Sequence, residues 1–376
     1  MSSVYPQIDP DGLLEYSVVY TDRAVNHMSQ SFQQVMIDIS ATLQEVYGAS
    51  AVAVVPGSGT FGMEAVARQF AINKKCLVIR NGWFSYRWTQ IFETGNIPAK
   101  EIICQARQTG KESTASFVPV PIDEVVAAIR DEKPDLVFAP HVETSSGMLL
   151  PDEYVEAVGH AVQEVGGLFV LDCIASGAIW VDMLQAAVDV LISAPQKGWS
   201  GSPCAALVMM SDRARKMTDD TASNSFACDL AKWLWIMETY EQGGHAYHAT
   251  MPTDGLVTFS RMMNEMKQIG FDTVYHRQQE LGDRVRSLLA MKGFKSVAAD
   301  GYGAPGVVVC YTDDPRIQNG SKFAELGLQI AAGVPLRCGE PDGFSTFRLG
   351  LFGLDKLNNI DAAVATLEKA LDQVLA

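Results

Sequence analysis

The spacing of apolar residues changes repeatedly along the first half of the chain, and each spacing predicts a different element. Residues 31–46 place apolar side chains three and four positions apart, which predicts a helix, whereas residues 51–55 form a continuous apolar run, which predicts a buried strand. The same alternation predicts helices over 61–72, 121–130 and 152–165 and strands over 76–80, 135–139 and 168–172. Apolar strands separated by helices are typical of a mostly parallel sheet covered on both faces.

The pattern changes after residue 255. Two long helices are predicted over 256–269 and 271–291, followed by strands over 294–297 and 307–311 and a closing helix over 359–375. We therefore predict three parts, an N-terminal arm (1–29), a large α/β domain (30–255) and a smaller α+β domain (256–376).

Composition narrows the class of partner. The chain has 376 residues, of which 48% are hydrophobic, and a formal net charge of −15, which argues against nucleic acid or an anionic membrane surface as a partner. The N-terminus shows no basic start followed by an apolar stretch, so we expect a cytoplasmic protein. The seven cysteines form no C-x-x-C pair, which predicts reduced core thiols and no zinc site.

Lys197 stands between two strand-like runs, residues 188–192 and 204–209, in the segment Ser-Ala-Pro-Gln-Lys-Gly-Trp-Ser-Gly. A lysine at the edge of a buried sheet costs free energy unless it is solvated, paired or covalently used. Its role therefore depends on what else reaches the same edge.

Residues 57–62 read Gly-Ser-Gly-Thr-Phe-Gly and match the dinucleotide pattern G-x-G-x-x-G between a strand and a helix. A dinucleotide site also needs an acid at the end of the next strand, where this chain has Arg80-Asn81-Gly82. A phosphate site at the helix N-terminus is the better functional interpretation. A glycine-rich turn that serves only tight packing is the structural alternative.

Asp172 ends the strand over 168–172, at the edge where ligands of parallel sheets bind. It either caps a turn or pairs with a cation, and the residues after it are poor metal ligands. A helix N-terminus for a phosphate, a carboxylate for a pyridinium nitrogen and a lysine for an aldehyde are what pyridoxal phosphate requires. Asp172 would keep the ring nitrogen protonated, and Lys197 would bind the cofactor covalently and move a proton.

Taken together, these segments resemble the class V aminotransferases of fold type I, most closely the alanine–glyoxylate/serine–pyruvate branch. The resemblance covers most of the chain from residue 26 onward and implies a large domain with a mostly parallel seven-stranded sheet. It also implies a Schiff-base lysine at Lys197 and the ring-nitrogen carboxylate at Asp172. The other cofactor contacts that it implies are Ser58, Gly59, Thr60, Phe84, Thr144 (or Ser145, one position on), Ile174 and Gln196.

Two further segments resemble the same family. Residues 247–252, Tyr-His-Ala-Thr-Met-Pro, resemble its Y-x-x-T-x-P segment, which implies that Tyr247 and Thr250 reach the cofactor phosphate of a neighbouring subunit and that the protein is a homodimer. Residues 347–353 resemble the R-x-G segment, which implies that Arg348 holds the substrate carboxylate. A guanidinium suits that role because it pairs with a carboxylate through two parallel hydrogen bonds.

The chain departs from the family at its N-terminus, where residues 15–23 replace a Gly-Pro-containing segment of the substrate pocket. Our hypothesis is that Tyr20 or Arg23 helps to read the substrate side chain, for example an acidic one, with an ordered arm that carries solvent-facing charges as the alternative. Cys338 raises a second question, because cysteine desulfurases of this fold carry a mobile cysteine ahead of the carboxylate-binding arginine. Gln196 and Phe84 stand where desulfurases usually have histidines, so we interpret Cys338 as structural or pocket-lining.

The sequence thus predicts a pyridoxal-phosphate-dependent aminotransferase that moves an amino group from an amino acid to a small 2-oxo acid, glyoxylate or pyruvate, by a ping-pong cycle. The alternatives are a lyase or desulfurase on the same fold and, from a different class, an NADP-binding protein that uses residues 57–62 with Arg80 near a 2′-phosphate. A non-catalytic scaffold leaves the whole constellation unexplained.

Overall fold

A computed structural model describes residues 7–10 and 12–376 of the chain. Its helices are α1 (Gln30–Tyr47), α2 (Gly59–Phe70), α3 (Trp83–Gly95), α4 (Ile122–Glu132), α5 (Asp152–Glu164), α6 (Asp212–Asp220), α7 (Leu230–Glu241), α8 (Thr253–Ile269), α9 (Phe271–Met291), α10 (Pro315–Gln318), α11 (Ser321–Ala324), α12 (Leu354–Leu357) and α13 (Ile360–Leu375).

The strands are β1 (Ala51–Pro56), β2 (Lys75–Arg80), β3 (Lys100–Gln105), β4 (Arg107–Gln108), β5 (Phe117–Val118), β6 (Leu136–Pro140), β7 (Val142–Glu143), β8 (Met148–Leu149), β9 (Leu168–Asp172), β10 (Val190–Ser193), β11 (Ala205–Met210), β12 (Val307–Tyr311), β13 (Ala331–Ala332) and β14 (Thr346–Gly350).

A seven-stranded sheet organises the first part of the fold, in the order β1-β11-β10-β9-β6-β2-β3. The pairings from β10 through β9, β6 and β2 to β3 are parallel, and β11 runs antiparallel to both of its neighbours. The predicted mostly parallel seven-stranded sheet is confirmed. The central strands are buried at every position, which is why they appear in the sequence as continuous apolar runs.

Helix α1 shows how local signals fix an element. The Ser29 hydroxyl accepts a hydrogen bond from the Phe32 amide and caps the N-terminus, and Gly48 in the left-handed region (φ 65°) ends the helix. The buried residues Phe32, Met36 and Ile39 face the core at helical spacing.

The second part of the chain forms a smaller sheet, β12-β14-β13, whose strand β12 packs against helix α9, and α9 packs in turn against α13. The strand predicted over 294–297 is wrong, because Ser296 makes only an isolated bridge to Cys310. The segment before β12 is joined to the segment before β8 by a hydrogen bond, 2.8 Å long, from the Ala304 amide to the Gly147 carbonyl. The domain boundary at residue 255 stays a prediction.

Candidate active site

The carboxyl ends of the parallel strands bring the predicted site residues to one edge of the large sheet. Asp172 is the last residue of β9, and Lys197 follows the end of β10 by four positions. The Asp172 carbonyl accepts a hydrogen bond from the His141 amide, just beyond the end of β6. Three neighbouring strands therefore deliver the carboxylate, the lysine and the 141–147 segment to the crevice where α/β sheets bind ligands.

The turn before α2 is arranged to accept an anion. Ser58 is the N-cap residue of this helix, yet its hydroxyl makes no capping hydrogen bond. The first intrahelical bonds start from the amides of Phe61 and Gly62, which donate to the Ser58 carbonyl. The amides of Gly59 and Thr60 and the Ser58 hydroxyl thus stand at the positive end of the helix dipole.

Gly59 is required by a close approach. A Cβ atom on Gly59 would lie 2.5 Å from Cδ1 of Ile174, so no larger residue fits without a shift. Ile174 itself is held by its amide, which donates to Oδ1 of Asp172 over 2.9 Å. The turn, the predicted ring-packing residue and the predicted ring-nitrogen carboxylate are consequently one packed unit.

Asp172 is buried, with 6% of its surface exposed. Burial raises the pKa of its carboxyl to about 7, and the nearby charge of Glu143 adds to the shift, while the hydrogen bond from Ile174 and the charges of Arg87 and Lys197 oppose it. Because burial disfavours the ionised form of this carboxyl, a cation placed beside it would stabilise the carboxylate strongly.

Lys197 is partly buried, with the charges of Arg348, Asp172 and Arg87 acting on its amine. Burial lowers the pKa of its amine, and the nearby guanidinium of Arg348 lowers it further. Its Nζ atom stands 5.1 Å from the ring centroid of Phe352. A lowered pKa increases the fraction of neutral amine, which is the form that attacks an aldehyde.

Arg348 and Phe84 lie close together. The guanidinium carbon of Arg348 lies 5.5 Å from the Phe84 ring centroid, and its Nε donates to the Ala332 carbonyl over 2.8 Å. Because that bond uses Nε, the two terminal nitrogens remain for a planar pair with a carboxylate.

Glu143 fixes the position of Phe84 and was not assigned a role from the sequence. It is fully buried, and its two carboxylate oxygens accept hydrogen bonds from the amides of Phe84 and Ser85 in the first turn of α3. They also accept from the hydroxyls of Ser85 and Ser145, each over 2.7 Å. A carboxylate at a helix N-terminus is stabilised by the dipole and by charge-assisted bonds, so it anchors α3 to the 141–147 segment.

The Ser145 hydroxyl is committed to this anchor, because it also accepts a hydrogen bond from the Trp83 amide over 2.8 Å. The Thr144 hydroxyl makes no hydrogen bond within residues 7–10 and 12–376, and its side chain is partly exposed. This difference favours Thr144 over Ser145 as a ligand-binding residue.

Gln196 and His141 each have a buried polar atom whose hydrogen-bonding capacity is unsatisfied by the described residues. Oε1 of Gln196 and Nε2 of His141 are buried without a hydrogen bond in the described part of the chain. Such atoms cost free energy unless a ligand or water satisfies them. An unused cap at Ser58, a cradle at Gly59, the Asp172 carboxyl and the Lys197 amine together fit the phosphate, ring nitrogen and aldehyde of pyridoxal phosphate.

Tyr20 lies close to the segment that carries Tyr247 and Thr250. The Tyr247 and Thr250 hydroxyls lie 3.0 Å apart on an exposed segment, and the Tyr20 hydroxyl donates to the Met251 carbonyl over 3.2 Å. Arg23 is exposed on the same arm. Tyr20 is therefore joined to the segment that carries Tyr247 and Thr250.

Comparison with known proteins agrees with this geometry. The sequence model described as aminotransferase class-V matches residues 13–310. The chain belongs to the class-V aminotransferase family. Membership makes the protein an aminotransferase, with the fold that this family shares.

Relatives of this aminotransferase differ in their named substrates. The 2-aminoethylphosphonate–pyruvate transaminase of Paraburkholderia phymatum is 27% identical over 361 residues, which cover 93% of this chain and 89% of that protein. The alanine–glyoxylate aminotransferase of Rattus norvegicus is 25% identical over 364 residues, covering 93% and 82%. The crystal structure of alanine–glyoxylate aminotransferase from Nostoc sp. superposes with a TM-score of 0.77 at 22% identity, covering 94% of this chain and 89% of that one.

The structure argues against sulfur transfer by Cys338 and against NADP binding beside Arg80. Cys338 of the aminotransferase is 5% exposed, and burial raises the pKa of its thiol to about 12, so it is not the accessible thiolate that sulfur transfer needs. Arg80, which the NADP hypothesis requires near a 2′-phosphate, is buried and donates to the Thr89 hydroxyl over 2.6 Å.

Within the described residues, no helix has both the length and the apolar character needed to cross a membrane.

Proposed function

We propose that the protein uses pyridoxal 5′-phosphate to move the amino group of an amino acid to a small 2-oxo acid such as glyoxylate or pyruvate. The observation that carries this proposal is the convergence of Asp172, Lys197 and the unused N-terminus of α2 at one sheet edge. The family and the named activities of its relatives support it.

The residues divide the binding work among them. Ser58, Gly59, Thr60 and Gln196 would hold the phosphate, and Tyr247 and Thr250 of a second subunit would complete that contact in a homodimer. Phe84 and Ile174 would enclose the ring from its two faces, with Thr144 at a ring substituent. The support is the packing of Ile174 against Gly59 and the anchoring of Phe84 by Glu143.

The chemistry then follows from two protonation states. When bound, pyridoxal phosphate would take up the amino group from the donor and pass it to the oxo acid, which is a ping-pong sequence. Asp172, opposite the ring nitrogen, would ionise there because a cation stabilises its carboxylate. Lys197 would hold the cofactor and, once displaced, would carry the proton to and from the substrate Cα as a neutral amine.

Arg348 would fix the substrate through its α-carboxylate. Burial lowers the pKa of the Arg348 guanidinium, while Glu143 behind it acts in the opposite direction, so the charge is held in a partly desolvated site where pairing with a carboxylate is strong. Tyr20, which bonds to the segment around Thr250, or Arg23, three residues after it, would read the substrate side chain at the partner's site. The cytoplasmic location stays a prediction.

The visible absorption spectrum of the purified protein, before and after a panel of amino acids is added, tests this function. We expect an absorption band of lysine-bound cofactor in the wild type, no such band in Lys197→Ala, and bleaching of the wild-type band by the amino acids that act as donors. A wild type that shows no such band after pyridoxal phosphate is added would contradict the proposal.

A further inference from the structure

Arg87 is a cation in the crevice to which neither the sequence motifs nor the roles above give a function. It lies on α3, three positions after Phe84. Its Nη1 donates to the Thr60 hydroxyl over 3.0 Å, and its guanidinium carbon stands 4.9 Å from the Phe84 ring centroid. The side chain therefore bridges the turn before α2 and the aromatic residue of α3.

The charge of Arg87 acts on the reactive groups. It opposes the burial that raises the pKa of the Asp172 carboxyl, and it contributes to the lowered pKa of the Lys197 amine. Its charge therefore lies close enough to interact with both groups. None of the ion pairs formed within residues 7–10 and 12–376 includes Arg87. The guanidinium is thus a cation without a carboxylate partner in this part of the chain, in a crevice proposed to hold an anion.

The proposed phosphate contacts leave a charge unbalanced. Ser58, Gly59, Thr60 and Gln196 are all neutral, as are Tyr247 and Thr250, whereas a phosphate monoester carries close to two negative charges at neutral pH. The N-terminus of α2 supplies only about half an elementary charge. A guanidinium next to Thr60 would balance the remainder.

We propose that Arg87 binds the phosphate group of the cofactor together with Thr60, an inference that rests on the proposed function. A guanidinium has five N–H donors. Besides the cation–π contact with Phe84, the Arg87 side chain makes one hydrogen bond in the described part of the chain, from Nη1 to Thr60, so other donors remain for phosphate oxygens. The same cation–π contact links the phosphate end of the site to the aromatic residue over the ring, so Arg87 orders both.

Binding of pyridoxal 5′-phosphate and of pyridoxal to the cofactor-free protein separates a phosphate contact from a general effect on the site. Both compounds carry the aldehyde, and only the first carries the phosphate. We expect Arg87→Gln to weaken binding of pyridoxal phosphate about tenfold to hundredfold in equilibrium dialysis, as removal of a charge-assisted hydrogen bond does, and to leave binding of pyridoxal unchanged. Arg87→Lys, which keeps the charge, should lose less.

Arg130→Gln is the matched control, because Arg130 is exposed on α4 and pairs with Glu164. It should bind both compounds as the wild type does. Equal weakening of both compounds by Arg87→Gln, or unchanged preference for the phosphorylated one in Arg87→Gln and Arg87→Lys, would overturn the inference. A wild type that binds neither compound would overturn the proposed function and this inference with it. If Arg87→Gln fails to fold, Arg87→Lys alone decides, by the ratio of its two affinities.

Discussion

The carboxyl of Asp172 lowers the stability of the folded chain because it is buried, although its proposed role in the site requires it to be ionised. This carboxyl has a pKa of about 7 because it is buried, while its usual value is 3.8. Between these pH values the folded protein holds a proton that the unfolded chain has released. The free energy of unfolding therefore falls as the pH rises from about 4 to about 7, and the cost remains at higher pH.

Replacement of Asp172 by asparagine should remove this cost from the cofactor-free protein. The amide oxygen still accepts the hydrogen bond from Ile174, and no charge is buried. We expect Asp172→Asn to raise the free energy of unfolding in urea by up to about 4 kcal/mol at pH 8, with little change at pH 4, since each unit of pKa shift corresponds to about 1.4 kcal/mol. The same variant should bind pyridoxal phosphate more weakly.

Asp182 provides the matched control for this prediction. Its Oδ1 accepts a hydrogen bond from the amide two residues on, Leu184, over 2.9 Å, but the residue is exposed. Asp182→Asn should give no comparable gain at pH 8. A stability difference between Asp172→Asn and the wild type that did not vary with pH would show that burial of the charge is not the cause.

Helix α2 is an element whose position depends on the absence of a side chain at Gly59. An alanine there would bring Cβ to 2.5 Å from Cδ1 and 2.8 Å from Cγ1 of Ile174, so the turn must move. We expect Gly59→Ala to lower the free energy of unfolding by about 1–3 kcal/mol, as overpacking usually does, and to weaken pyridoxal phosphate binding. Thermal unfolding and dialysis measure the two effects.

Ile174→Val supplies a compensating change, because valine lacks the Cδ1 atom that makes the closest contact. The double variant should recover part of both losses, while Ile174→Val alone should cost about 1 kcal/mol. Strictly additive effects in the double variant would mean that the two residues do not constrain each other.

Some helices and strands could be predicted from the spacing of apolar residues, and others could not. The buried strands β1, β2, β6 and β9 were predictable because unbroken apolar runs allow few other structures. Helix α3 was not assigned, because its N-cap residue, Gly82, has no side chain to signal a helix start. Its first turn is held by the Ser85 hydroxyl, which accepts from the Gly82 amide, and by Glu143, a carboxylate 58 or more positions away.

Residues 294–297 do pair with β12, through hydrogen bonds from the Val297 amide to the Val309 carbonyl and from the Tyr311 amide to the Lys295 carbonyl. The pairing stops at the single bridge of Ser296 with Cys310 and is too short for a strand.

Site residues that belong to a sequence motif could be predicted from the sequence. Residues whose role depends on contacts between distant segments could not. Lys197, Asp172 and the turn at Gly59 stand at strand or helix ends that the pattern locates. Glu143 and Arg87 lie inside segments that were noted for other residues, and only the folded chain shows that one anchors Phe84 and the other contacts Thr60. The acid at position three of H-x-E-T was the one available signal for Glu143.

At the scale of the whole molecule, residues 20–27 and the segment around Thr250 lie against each other. The Val25 amide donates to the Asp254 carboxylate over 3.1 Å, in addition to the bond between Tyr20 and Met251. His27 lies between the rings of Tyr20 and Tyr247, with centroids 5.6 Å from each. Any partner subunit that receives Thr250 in its active site therefore meets the arm as well, which would place Tyr20 and Arg23 near the partner's substrate.

Mixing two inactive variants tests whether the proposed homodimer shares its sites in this way. One variant is Lys197→Ala, and the other carries Tyr247→Phe with Thr250→Ala. If the segment serves the partner, a mixed dimer has one site with Lys197 from one chain and intact Tyr247 and Thr250 from the other. Random exchange of subunits should then restore about a quarter of the wild-type sites, since half of the dimers are mixed and each has one intact site.

The two variants kept apart are the control, and each should stay inactive after the same unfolding and refolding treatment. If the segment served its own chain, every site in the mixed dimer would lack either Lys197 or the two hydroxyls, and mixing would restore nothing. Adding Arg23→Ala to the Lys197→Ala chain extends the test, because that chain supplies the arm to the one intact site. A selective loss of acidic substrates in that mixture would support Arg23 as the reader of the side chain, whereas an equal loss for all substrates would contradict it.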